Sequence, residues 1–235
     1  TAAIITAGGL IFVDNSDAAD LSFTISGASI NMGDIVLIGR YPERAQATIS
    51  GPELRCKYNA AFKNLHIAAS GNYNLFTTTN ATYDPTLHVE DCTVDAAYNV
   101  VYDSHNTQNF KSVYFGNSKM TVANKPFYST KAKDAHTQQL IRLDNNVFYA
   151  ETPLQNYLIN CGDRSQAFQT TRLQVEVTNN TIYNIYQPNI MIRAYVLAGL
   201  TVTKNVGYYT GVTAKNYLTG VYDTAGFTAD KAEVT

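Results

Sequence analysis

Leu87-His88-Val89-Glu90-Asp91-Cys92-Thr93-Val94 reads as apolar, x, apolar, x, Asp, x, x, apolar. The alternation puts Leu87 and Val89 on one face of a strand, Asp91 suits a sharp corner, and Val94 turns the chain back toward the same interior. The pattern recurs as Ala60-x-Phe62-x-Asn64-x-x-Ile67, Val113-x-Phe115-x-Asn117-x-x-Met120, Ile141-x-Leu143-x-Asn145-x-x-Phe148, Val175-x-Val177-x-Asn179-x-x-Ile182 and Leu200-x-Val202-x-Lys204-x-x-Gly207. Corner positions 64, 91, 117, 145, 179 and 204 are separated by 27, 26, 28, 34 and 25 residues. Periods of that size signify a solenoid or an array. Five corners carry Asn or Asp, which tolerate left-handed backbone and bond locally to it; Lys204 breaks the rule.

A second register follows each corner by roughly ten residues: Asn74-Leu75-Phe76, Asn99-Val100-Val101, Pro126-Phe127-Tyr128, Asn156-Tyr157-Leu158, Asn189-Ile190-Met191 and Asn216-Tyr217-Leu218. Each repeat therefore holds a strand, a corner, a short strand, a turn and a third strand. Three strands per turn describe one coil of a single-stranded parallel β-helix. The reading is all-β, with about six or seven coils: residues 1–32 as an N-terminal cap with lead-in strands, 33–220 as the helix and 221–235 as a tail, all in one structural domain. Asn146, Asn180 and Asn205 fall one place after successive corners, which predicts an internal asparagine ladder. Lys63 over Glu90 and Arg142 over Glu176 are read as opposite-charge rungs on the solvated face.

Composition narrows the function classes. A formal net charge of -2 supplies no basic face for nucleic acid. No apolar run reaches the roughly 18 residues that span a bilayer, so no membrane insertion is expected of this segment. The chain starts at Thr1 and ends on a polar stretch, which reads as part of a longer protein with further domains and a signal or anchor outside this sequence. Cys56, Cys92 and Cys161 are odd in number and lack a CxxC, so they read as buried thiols. The four histidines form no HxH or HExxH pair, and no metal or other cofactor is expected.

The run Gly33-Asp34-Ile35-Val36-Leu37-Ile38-Gly39-Arg40-Tyr41-Pro42-Glu43, then Ala47-Thr48-Ile49, then Phe62-Lys63-Asn64-Leu65-x-Ile67, resembles the opening coils of pectate-lyase-like and pectinesterase-like right-handed β-helices. The corners Asn145-Asn146-Val147-Phe148 and Asn179-Asn180-Thr181-Ile182 resemble the same superfamily, most of all uncharacterised β-helix domains of bacterial surface proteins. This resemblance spans about Gly33 to Tyr217. It implies a right-handed helix, as does the rule for parallel crossovers, and a groove for an extended polysaccharide. Its motifs are structural, and the aspartate-pair and arginine pattern of pectinesterases is not found, so no catalytic residue is carried over from it.

The third strand and the loop after it gather the unusual charges, and loops on a rigid scaffold are where function concentrates. Asp103, His105, Tyr128, Lys133, His136, Asp163 and Arg164 are the candidate substrate-binding residues. Aligning third strands on their opening residues places Thr78, Asp103, Thr130, Asn160, Arg193 and Gly220 in one column. Hydrolysis needs two carboxyl groups about 5–9.5 Å apart, and that column supplies no pair. β-Elimination needs a base and a cation beside the substrate carboxylate, for which Lys131 and Arg193 are the candidates. Calcium needs about 6–8 oxygen ligands, more than one strand aspartate and scattered loop carboxylates provide. Binding needs only aromatic surface and hydroxyls, which Tyr98, Tyr102, Tyr128, Tyr157, Tyr195, Tyr208 and Tyr209 offer.

The expectation is an exported, extracellular or cell-surface module without catalysis, whose partner is a polysaccharide or other glycan. The alternatives are a lyase acting on a uronic-acid polymer through Lys131 or Arg193, and a structural or adhesive spacer.

Overall fold

The computed structural model describes residues 2–16, 22–24, 29–51, 53–69, 74–78, 84–96, 98–103, 110–129, 139–161, 173–186, 192–194, 197–208, 210, 221–222 and 232–234. Its strands form three parallel sheets of nine, eight and eight strands, in which each strand pairs with the third strand before and the third strand after it in the chain. The first sheet contains Gly9–Val13, Ile35–Gly39, Ala60–Lys63, Thr86–Glu90, Ser112–Gly116, Leu140–Asp144, Leu173–Thr178, Leu197–Thr203 and Ala232–Val234. The second contains Ser22–Thr24, Ala47–Gly51, Leu65–Ala69, Thr93–Ala96, Lys119–Val122, Val147–Gln155, Thr181–Tyr186 and Val206–Tyr208. The third contains Ser29–Met32, Glu53–Cys56, Asn74–Thr78, Asn99–Asp103, Lys125–Ser129, Ile159–Cys161, Ile192–Ala194 and Val221–Tyr222. This is a right-handed parallel β-helix, the handedness that parallel crossovers adopt.

The strand triplets fill eight coils, and a ninth first-sheet strand follows them. Six or seven coils were expected because the repeat is silent at both ends. Gly9–Val13 already pairs with Ile35–Gly39, so most of the expected cap is itself a coil. Its corner uses Asn15 in a different way: the buried side chain donates from Nδ2 to the carbonyls of Tyr41 and Ala45 and accepts from the Tyr41 amide. At the other end, Val221–Tyr222 and Ala232–Val234 pair back onto the third and first sheets, inside the expected tail. The cap proper is the helix Ala2–Ala7, which buries Ile5 against the open end of the coil. Gly8 closes it with φ of 79°, where a Cβ would stand 2.5 Å from the Asp34 carbonyl oxygen.

Corners behave as the repeat requires. Asn64, Asp91, Asn117, Asn145, Asn179 and Lys204 all hold φ between 48° and 58°. At the first five, the corner amide donates to a carbonyl of the next coil: Glu90, Gly116, Asp144, Thr178 and Thr203 respectively. Left-handed backbone brings Cβ against the following carbonyl, at about 1–2 kcal/mol for an ordinary residue and less for Asn. Lys204 is exposed and adopts φ of 56° without that local relief. Lys204→Asn is therefore expected to raise the unfolding free energy by about 1 kcal/mol, read from the urea midpoint at unchanged slope. An unchanged midpoint would mean that the corner carries no strain.

Inside the coils lies one continuous apolar core. Leu87, Val89, Val113, Phe115, Ile141, Leu143, Val175, Val177, Leu200 and Val202 from the first sheet are all buried, as the alternation predicted. Five phenylalanines climb the axis, with ring centroids 5.4 Å apart between Phe62 and Phe76, 6.2 Å to Phe115, 5.2 Å to Phe127 and 5.9 Å to Phe148. The last three contacts are edge-to-face, the arrangement that ring quadrupoles favour. All three cysteines are buried, and burial pushes the Cys92 thiol up to about 12.

The asparagine ladder runs beside this core. Asn180 Oδ1 accepts from the Asn146 amide and from Asn146 Nδ2, and Asn205 Oδ1 does the same for Asn180. Their Nδ2 groups also donate to the carbonyls of Phe115, Leu143 and Val177. Ser118 continues the ladder downward, taking Asn146 Oδ1 on its amide and offering Oγ to the Cys92 amide.

Candidate functional site

A shift of one residue on the third sheet decides which side chains face outward. Asn99 pairs in register with Asn74 on one side and with Lys125 on the other, whereas the sequence alignment had used Pro126. The asparagine at the opening of the strand also steps by one position. Asn99 Oδ1 accepts from Asn124 Nδ2 as well as from the Lys125 amide, and Asn156 Nδ2 donates to Asn124. Because side chains alternate, a slip of one residue moves a side chain to the other face. Asp103 consequently shares its rung with Ser129, not Thr130, and that rung continues to Cys161. Its register position belongs to the inward column that holds the buried Cys56, Thr78 and Cys161. The expected column of Asp103 with Asn160 and Arg193 does not exist.

The outward column is Arg55, Thr77, Tyr102, Tyr128, Asn160 and Arg193. Tyr102 and Tyr128 stack with centroids 4.9 Å apart and planes 13° from parallel. Lys125 Nζ sits 3.8 Å from the Tyr128 ring centroid and 5.9 Å from that of Tyr102. Two rungs beyond Tyr128, roughly 10 Å at the usual strand spacing, the Arg193 guanidinium carbon lies 5.7 Å from the Tyr157 ring centroid. Tyr102, Tyr128, Asn160 and Arg193 are all half-buried.

Beside this column the sheet is closed to solvent: Leu75, Val100, Pro126 and Leu158 are buried, and Leu75, Val100 and Leu158 belong to the apolar core. The accessible part of the third sheet is therefore a strip, not an open floor. At one end of the strip Thr77 is only 1% exposed, and its Oγ1 has no hydrogen-bond partner.

Of the sequence candidates, Tyr128 and Arg193 fall on this strip. Asp103 is displaced from it as described, and His105, Lys131, Lys133, His136, Asp163 and Arg164 lie outside the described residues. The described tyrosines are spread over all three sheets. Tyr149, Tyr183 and Tyr208 form a separate stack on the second sheet, with successive centroids 5.1 Å apart.

The first sheet carries the charges that the sequence reads as solvated rungs. Both expected pairs form, with Lys63 Nζ 2.9 Å from Glu90 Oε2 and Arg142 Nε 3.4 Å from Glu176 Oε2. What the rungs did not reveal is the column His88, Tyr114, Arg142. The His88 and Tyr114 rings are 4.4 Å apart, and the Arg142 guanidinium carbon is 5.8 Å from the Tyr114 ring. The Tyr114 phenol lies across Gly116, where any Cβ would collide with its hydroxyl. Glu90 and Asp144 occupy the rungs on either side of Gly116. Burial, then the nearby Glu90 and Asp144 carboxylates, raise the Tyr114 phenol. Lys63 holds Glu90 below the usual carboxylate range, and hydrogen bonds from Thr178 and Asn179 do the same for Asp144.

Among the described residues, no group of three or more His, Cys, Asp or Glu side chains could hold a metal ion. No described helix is long and apolar enough to cross a membrane. Compared with models of protein families, with curated proteins and with solved structures, the chain matches none of them.

Proposed function

We propose that this chain is a glycan-binding β-helix module, exported or displayed at a cell surface close to polysaccharide and without catalysis of its own. The observation that carries this reading is the half-exposed column Tyr102, Tyr128, Asn160 and Arg193, with Lys125 above the stacked rings. Aromatic edges, hydroxyls, an amide and two cations follow one another there at the spacing of the coils. Such a surface suits an extended polymer that repeats the same contacts along its length. The two rings cover one another, so hydroxyl and ammonium hydrogen bonds contribute more than stacking of a sugar on an open face. The likeness of the corners to pectate-lyase-like helices supports the same reading.

Affinity electrophoresis through gels containing uronic-acid or neutral polysaccharides tests it. At least one glycan is expected to retard the protein, and Tyr128→Ala is expected to weaken that retardation about tenfold, which corresponds to about 1.4 kcal/mol. Mobility unaffected by every glycan would favour the spacer. Absorbance from newly formed unsaturated sugars would replace the binder by a lyase.

A further inference from the structure

On the outer face of the second sheet, three polar side chains from successive coils join end to end. Thr48 stands beside His66 in strand register, and its Oγ1 lies 3.0 Å from His66 Nδ1. On the far side, His66 Nε2 lies 2.7 Å from Asp95 Oδ2, reaching diagonally into the next coil. All three residues are half-exposed. An ionised carboxylate only accepts hydrogen bonds, so with Asp95 ionised the imidazole proton sits on Nε2. In the neutral ring Nδ1 is then a bare acceptor, and Thr48 Oγ1 donates to it.

A hydroxyl bonded to a base that a carboxylate orients is the arrangement that activates an oxygen nucleophile. We propose that Thr48, His66 and Asp95 form a nucleophilic relay, separate from the third-sheet strip, which makes Thr48 Oγ1 an acceptor for acyl groups from activated esters. In the step, Thr48 Oγ1 bonds to the acyl carbon while its proton passes to His66 Nδ1. The ester C–O bond breaks, its electron pair departs with the leaving oxygen, and the imidazolium returns its proton to that oxygen or to solvent. Asp95 does not touch the substrate; it positions the ring and stabilises the imidazolium. Thr48 belongs to a central strand, paired with Ser22 on one side and His66 on the other. Its surroundings are thus occupied by sheet hydrogen bonding and offer no pair of free amides to hold an oxyanion. The reaction is therefore expected to stop at the Thr48 ester, a single covalent modification and not turnover.

The test incubates the folded protein with p-nitrophenyl acetate, follows p-nitrophenolate, and locates the acetyl group by peptide mass spectrometry. The expected result is about one equivalent of p-nitrophenolate and an acetyl group on the peptide containing Thr48. Thr48→Ser keeps the label and Thr48→Val abolishes it. His66→Gln slows labelling at position 48 by at least about 100-fold, and Asp95→Asn slows it and alters its pH profile.

The flanking strands present Thr48 and Thr93 to the ring, with Ser50 and Asp95 one step along on the diagonal. Each variant is first checked for the β-sheet circular dichroism of the parent, and Asp95→Asn serves if His66→Gln does not fold. Acetyl groups confined to lysines, or Thr48 labelling undiminished in the folded His66→Gln or Asp95→Asn protein, would overturn the proposal.

Discussion

Asn180→Ala is expected to lower the unfolding free energy by roughly 3–5 kcal/mol. The Asn180 side chain is almost wholly buried and joins three coils. Its removal leaves the Asn146 amide without its acceptor and takes one partner each from Asn146 Nδ2, the Leu143 carbonyl and Asn205 Oδ1. Each buried polar group left without a partner costs about 1–3 kcal/mol, partly offset wherever water enters the space. Total stabilities of domains are about 5–15 kcal/mol, so the variant is expected to unfold at a much lower urea concentration. Equilibrium urea titration followed by circular dichroism is the measurement. A loss below about 1 kcal/mol would show that the freed groups find other partners and that the ladder is not a principal tie between coils.

Phe115→Ala is the second large effect, with an expected loss of about 3–5 kcal/mol. Phe115 has no exposed surface and stands in the middle of the aromatic column, with Phe76 from an earlier coil on one side and Phe127 across its own coil on the other. Alanine would remove the ring's transfer energy and leave a cavity that two packed neighbours close only in part. Phe115→Leu keeps much of the volume and is expected to lose less, about 1–2 kcal/mol. The same titration reads both variants. Equal losses for Ala and Leu would mean that ring geometry matters at this site more than volume.

The fold was legible because its signal is local and repeated. Each corner combines an apolar alternation with a residue that accepts left-handed backbone, and all six proposed corners hold a positive φ. Even Lys204 obeys, because the stack above and below it sets the turn. Asn146, Asn180 and Asn205 were legible for the same reason, since their distance from the corner is constant.

The site was harder to read. The third strand has no such anchor: its opening asparagine steps by one position between Asn99 and Asn124, and that single step takes Asp103 off the register of Asn160 and Arg193. Burial of Leu75, Val100 and Leu158 in the core breaks the strict alternation of the third strand, which periodicity does not encode. The His88, Tyr114 and Arg142 column could have been found from the same alignment that paired Lys63 with Glu90. It was missed because the positions between the apolar ones were weighed two at a time.

The constant stacking distance gives the surface a property that side-chain chemistry alone does not. Every outward column is a ruler whose divisions are the coils. Tyr128 and Arg193 are two divisions apart because Asn160 supplies the one between them. Insertion or loss of a whole coil would change their separation by one division and leave their direction unchanged, while a change of one residue within a strand would turn a contact out of sight. Spacing along this molecule is therefore altered in whole steps, and the reach of any partner it grips is counted in coils.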